Sequence, residues 1–192
     1  GLYMRDSAVE ILHNYLKTDH LIKHSLAVEA VMKALSQRLD PENQELWSVT
    51  GLLHDLDGDI LDYKNDAEAA AKHGKLTVEI LKEKQFGNDS MYHAIEAHNK
   101  RSEIERESLL DKALFAADPI TGFITAIALI YPDKKLSSVK VKSITKRMKQ
   151  ASFASGANRE SMMSIEETGI PFEEFASISL SAMQSISDDL AL

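Results

Sequence analysis

The strongest constraint on the fold is an almost unbroken succession of helix signals. Ser7 and Glu10 have the spacing of a capping box, in which hydroxyl and carboxylate satisfy each other's neighbouring backbone donors. Thr18 and Asp19 can cap a second helix, which carries Leu21, His24, Ala27, Val28, Val31 and Leu35 at helical spacing. Asp40-Pro41 reads as an N-cap followed by the first helical residue, opening a helix through Trp47 to about Asp55. The pattern breaks into a loop over residues 56–65 at Asp57-Gly58-Asp59, resumes over 67–72, is interrupted at His73-Gly74, and continues over 76–84. Beyond Gly87-Asn88-Asp89 a helix covers 90–98 and a polar loop 99–107. Ser108-x-x-Asp111 then starts a helix that Asp118-Pro119 must end or kink. The last third reads as helices near 139–149, 159–168 and 172–190, with Gly169 and Pro171 as stop and restart. No segment carries the β-branched alternation of a strand. The expectation is an all-α bundle.

With no internal repeat and no low-complexity linker, the 192 residues are read as one helical domain over 1–192, its core near 18–131 and additional C-terminal helices over 132–192 packed on it. A net charge of -8 argues against general adhesion to nucleic acid or anionic membrane. The absence of Cys removes disulfides, thiolate ligands and Cys nucleophiles, and fits a cytoplasmic protein. Residues 1–15 are charged and helix-patterned rather than a signal peptide. The most apolar run, 120–131, falls between Pro119 and Pro132 and is shorter than the roughly 20 residues a bilayer span needs. It is read as a buried core helix, so no membrane partner is expected.

Function is read from polar residues that fall on apolar stripes. His24 shares a face with Ala27, Val28 and Val31; His54 with Trp47, Thr50 and Gly51; His98 with Met91, Ala94 and Ile95; Asp118 with Leu110 and Leu114. Gly51 would permit close backbone approach. A lone inward His is ordinarily a hydrogen-bonded core residue, and a lone Asp before Pro a helix stop. Three imidazoles and a carboxylate turned inward from four helices are different, because burying a carboxylate unpaired is costly and a bound cation compensates it. Imidazole and carboxylate without thiolate suit a divalent transition metal (Fe, Mn, Zn, Co or Ni) rather than calcium. A calcium loop counted from Asp55 fails, since its sixth and twelfth places hold Ile60 and Asp66 instead of Gly and Glu.

The sequence resembles the HD superfamily of metal-dependent phosphohydrolases. The carriers are His24-Ser25, Gly51-Leu52-Leu53-His54-Asp55, Ala94-Ile95-Glu96-Ala97-His98-Asn99 and Ala116-Ala117-Asp118, in the family's order over about residues 20–131. The tail, with Lys142-Ser143, Phe153-Ala154 and Asn158-Arg159-Glu160, also looks like that of small prokaryotic HD-domain proteins. The resemblance implies that His24, His54, Asp55 and Asp118 bind a first metal, and that His73 and His98 complete a second site with Asp55 bridging. His73 matches in order and distance, but a Lys-flanked position beside Gly74 equally suits a surface His. His13, His20 and His93 match no motif position. Where some subfamilies place Lys or Glu near the substrate, this chain has Asp57, which stands as a catalytic proton donor, a partner for a ligating His, or a turn former. No Gly-Tyr-Pro motif follows His54-Asp55, so the cyclic-dinucleotide signalling branch finds no support.

The implied activity is hydrolysis of a small phosphate ester or nucleotide by metal-activated water, with one or two ions. It needs no side-chain nucleophile, which agrees with the lack of Cys and of a Gly-x-Ser-x-Gly elbow. From Lys134 to Arg159 there are eight Lys or Arg and no acidic residue. That block either faces the metal mouth and attracts phosphate or is a solvated face; Arg159, at a helix start, is its candidate catalytic residue. Phe153 is the block's only aromatic, which makes nucleic acid an unlikely partner. Two alternatives stay open: a di-iron, O2-dependent oxygenase of the same superfamily, and a non-catalytic, metal-stabilised binding module.

Overall fold

A computed structural model describes residues 2–192, with side chains from residue 4 onward. The described residues form eleven α-helices and four short 3-10 turns, with no strand: α1 Leu2–Tyr15, α2 Asp19–Leu39, α3 Gln44–Leu53, α4 Ala67–Lys72, α5 Lys75–Glu83, α6 Asp89–Ala97, α7 Leu109–Ile130, α8 Val141–Met148, α9 Arg159–Met163, α10 Phe172–Ser185 and α11 Ser187–Leu190. The all-α expectation holds. α2 packs along α3 and α7, α6 lies on α7, α1 covers α3, and α10 bridges α2 and α8. One continuous apolar cluster runs from Ala8 through Leu190, with Trp47, Phe123 and Phe175 among its largest buried side chains.

Most punctuation works as read. Asn88 accepts from the Met91 amide, Asp66 from those of Glu68 and Ala69, and Ser108 with Asp111 forms a complete capping box. One expectation is overturned and one is narrowed. Ser7 and Glu10 lie inside α1, which begins no later than Leu2, so the backbone donors a capping box would serve are already bonded within the helix. Of the two outcomes open at Asp118-Pro119, an end or a kink, the end is excluded: α7 runs 22 residues through Pro119. Proline costs about 3 kcal/mol in a helix interior, but each fully buried Leu, Ile or Phe returns about 1.5–3 kcal/mol, and α7 buries Leu110, Leu114, Ile120, Phe123, Ile124 and Ile127 on both sides of the break. Packing outweighs the lost bond.

That fusion also makes α7 long and apolar enough to cross a bilayer, which 120–131 alone was not; 61% of its most apolar window is nevertheless buried inside the protein. It is the central core helix. At Gly51 the chains approach so closely that a Cβ would sit 2.8 Å from the Val28 carbonyl oxygen, and this contact sets α3 against α2.

Candidate metal centre

Five segments deliver the polar cluster. α2 supplies His24, the end of α3 supplies His54 and Asp55, the turns after α4 and α6 supply His73 and His98, and α7 supplies Asp118. His24 Nε2 lies 2.8 Å from Asp118 Oδ1 and 3.2 Å from His54 Nε2, and His54 Nε2 lies 3.1 Å from the same carboxylate oxygen. On the other side His98 Nε2 is 3.2 Å from His73 Nε2, which is 3.6 Å from Asp55 Oδ1. The His54 and His98 rings, 5.3 Å apart, join the two halves. His54, Asp55 and His98 are buried, whereas 25% of the His24 side chain and 35% of that of Asp118 remain exposed, so the cluster opens to solvent on the α2–α7 side.

Hydrogen bonds to the far ring edges settle the tautomers. His54 Nδ1 donates to the Gly51 carbonyl (2.6 Å), His98 Nδ1 to that of Ile95, and His73 Nδ1 to Asp57 Oδ1 (2.7 Å). Thr121 Oγ1 donates to the Asp118 carbonyl, which leaves its lone pairs for the His24 Nδ1–H at 3.2 Å. With every Nδ1 proton committed, the four Nε2 lone pairs turn toward one another and toward two carboxylates. Such contacts repel unless a positive charge stands between them, either a proton or a metal ion.

The titration tendencies describe the same need. Burial pulls His54 down, but the hydrogen bond and charge of Asp118 override it and raise it to about 9. Burial and the neighbouring His73 charge push His98 down to about 3. Desolvation works to raise Asp118, yet His24 and His54 hold it well below the usual carboxylate range. Asp55 is raised, chiefly by burial against the pull of its imidazole neighbours. Without an ion, protons on some imidazoles take its place.

A ring of supporting residues holds these side chains. Asp57 is fully buried, and its carboxylate accepts from His73 Nδ1, the Gly74 amide (2.7 Å) and the Thr77 amide (3.3 Å). Burial works to raise it, but these donors keep it below its ordinary value and therefore ionised. That corrects its reading as a proton donor or a turn former: its geometry is that of a carboxylate orienting His73. His73 is not a surface residue either. Gly74 follows it at φ +88, where a Cβ would meet the Ile95 carbonyl at 2.8 Å, and Asn99 Nδ2 donates to the carbonyls of Ala70 and His73. Tyr63 had no sequence signal; it stacks on His73 with ring centroids 4.0 Å apart and directs its hydroxyl at Asp55 Oδ1, 3.3 Å away.

Arg159 stands apart. Its guanidinium donates to the carbonyls of Arg147, Met148, Gln150, Phe153, Ala154 and Ala157 and lies over the Phe123 ring. All five N–H groups are engaged, so none is left for a phosphate, and the expectation of a catalytic Arg159 is corrected. His93, half-buried, pairs with Asp111 Oδ2 at 2.7 Å, while His13 and His20 are exposed.

The family model for the HD domain matches residues 21–121, more than half of the chain and the whole span from His24 to Asp118. The chain belongs to the HD-domain family. No curated protein and no solved structure gives a significant match. HD domains make up a superfamily of metal-dependent hydrolase type, and three groups of side chains in this one could hold a divalent ion: His24, His54 and Asp55; His54, His98 and Asp118; and Asp55, Asp57 and His73. In the last, Asp57 already accepts from three protein donors, so His73 Nε2 and Asp55 are the more open positions.

Proposed function

We propose that this HD domain is a metal-dependent phosphohydrolase acting on a small phosphate ester or nucleotide. The observation that carries the reading is the convergence of four imidazole Nε2 lone pairs, each with its Nδ1 proton committed, on two carboxylates. His24, His54, Asp55 and Asp118 would hold a first ion; His73, His98 and a shared Asp55 a second. A bound divalent ion would acidify water toward neutral pH and polarise a phosphoryl oxygen.

The chain's own part is positional. Asp57 keeps the proton of His73 on Nδ1 and its lone pair inward; Gly51 and Ile95 do the same for His54 and His98 through their carbonyls; Tyr63 orients Asp55. The exposed edges of His24 and Asp118 leave the side from which a phosphate would enter. The test is elemental analysis of protein purified without chelator, beside a His54→Ala variant, followed by a screen of phosphate esters with Mn, Co and Ni. A transition metal in the native protein, absent from the variant, together with phosphate release, is expected. Native protein without metal, or a variant that binds metal equally, would refute the site. Iron with O2 uptake and no phosphate release would point to the oxygenase alternative.

A further inference from the structure

A groove of about 900 Å³ between α2 and α10 is lined by none of the six candidate ligands. A smaller cleft of about 240 Å³ between α2 and α7 has His24 as one of its walls. That ring is shared: its Nε2 edge faces the metal centre, and its Nδ1 edge is held by Thr121 at the cleft. Beyond it the walls are Ala27, Thr125, Leu129, Leu190 and Leu192, with Gly122 leaving a gap in the α7 side. A Cβ built on Gly122 meets no atom within 4 Å, and Leu129 keeps 48% of its surface exposed although it is apolar.

We propose that this cleft seats the organic part of the substrate, and that the substrate is a phosphate monoester of a compact hydrocarbon group. The proposal rests on the hydrolase reading and narrows its substrate class. His24 is common to the cleft and to the centre, so a phosphate held beside its Nε2 edge would direct its organic group past the ring toward Ala27, Gly122 and Leu129. The volume lies below the range of sites for drug-sized ligands, which suits a short chain or one ring. The lining disfavours a nucleobase. No Asn, Gln, Asp or Glu borders the cleft, the Thr121 hydroxyl is already used in both directions, and no Phe, Tyr or Trp offers a stacking face. The Thr125 hydroxyl is a single group, so a base edge buried there would leave most of its polar atoms unpaired. Lys23, paired with Asp19 at 2.8 Å, is the cleft's one lysine.

The full chain, loaded with Mn or Co, is titrated calorimetrically with methylphosphonate and with butylphosphonate, neither of which can be hydrolysed. A buried methylene is worth about fourfold in affinity, so the butyl compound is expected to bind at least about tenfold tighter. Gly122→Leu fills the gap and should reduce that ratio to about twofold or less, while Gly122→Ala should keep it. Both changes replace a helical glycine with a better helix former, so metal content and thermal midpoint report that the fold is intact. Equal binding of the two phosphonates by the native protein, or a preference that survives Gly122→Leu, would overturn the proposal alone. A metal-loaded protein that binds neither would overturn the hydrolase reading and this proposal with it.

Discussion

The protein contains two polar clusters assembled from distant carbonyls and charges, and they are built on opposite plans. Around Arg159 every donor meets an acceptor: five N–H groups and six backbone carbonyls close the segment from Arg147 to Ala157 over Phe123. Around His54 the outer ring edges are satisfied and the inner ones are not, so Nε2 meets Nε2 at 3.2 Å on both sides of the cluster. The first cluster is complete as protein. The second is complete only with added positive charge. Where a buried network satisfies itself it serves the fold, and where it is arranged to repel itself it asks for a ligand.

Four measurements test that contrast. The largest effect is expected at the open cluster. His54→Ala should abolish metal binding and phosphate release, and with it the chelator response of the native protein. Metal at a thousandfold excess over its Kd stabilises by about 4 kcal/mol, roughly 10 °C in a chain of this size, and chelator should cost the native protein that much and the variant nothing. Arg159→Ala should lower the thermal midpoint by a comparable but metal-independent amount, about 3 kcal/mol, because it strips six carbonyls of their donor. If chelator and Arg159→Ala effects proved non-additive, the two clusters would not be independent.

Asp57→Asn should preserve the fold and weaken metal binding about 10- to 100-fold, read by competition with a chromophoric chelator, since His73 loses the carboxylate that orients it. Unchanged affinity would remove Asp57 from the centre. The smallest effect concerns Asp59, whose exposed carboxylate accepts from the Lys17 and Thr18 amides and the Thr18 hydroxyl, bonds that hold its pKa below the ordinary value. Its folded pKa is depressed, so the stability it adds is present above the unfolded value, near 4, and is lost as pH falls through the lower folded one. Asp59→Asn should cost under about 1 kcal/mol at pH 7 and less as pH falls below about 4, as urea midpoints across that range would show.

What could be read in advance, and what could not, divides along the same physical line. His24, His54, His98 and Asp118 were legible because each shares a helical stripe with apolar neighbours, and a 3.6-residue period reports facing without any knowledge of what lies opposite. His73 lies at a helix end beside Gly74, where periodicity says nothing; its burial follows from Asp57 and Tyr63 of the 56–65 loop and from Asn99 beyond α6. Ser7 has the spacing of a cap yet lies inside α1, and Pro119 has the local chemistry of a stop yet lies inside α7. Both signals are real, and both are outvoted by contacts made far along the chain.

Helical character, the start of most helices and the inward facing of several imidazoles and carboxylates are written into short stretches of residues, because capping and periodicity are properties of a few consecutive positions. Only the tertiary structure decided which of those groups meet, which tautomer each imidazole adopts, and that Arg159 is spent on the fold while Asp57 steers His73. Those outcomes depend on distances between atoms brought together by packing, and a local pattern carries no distance across the core.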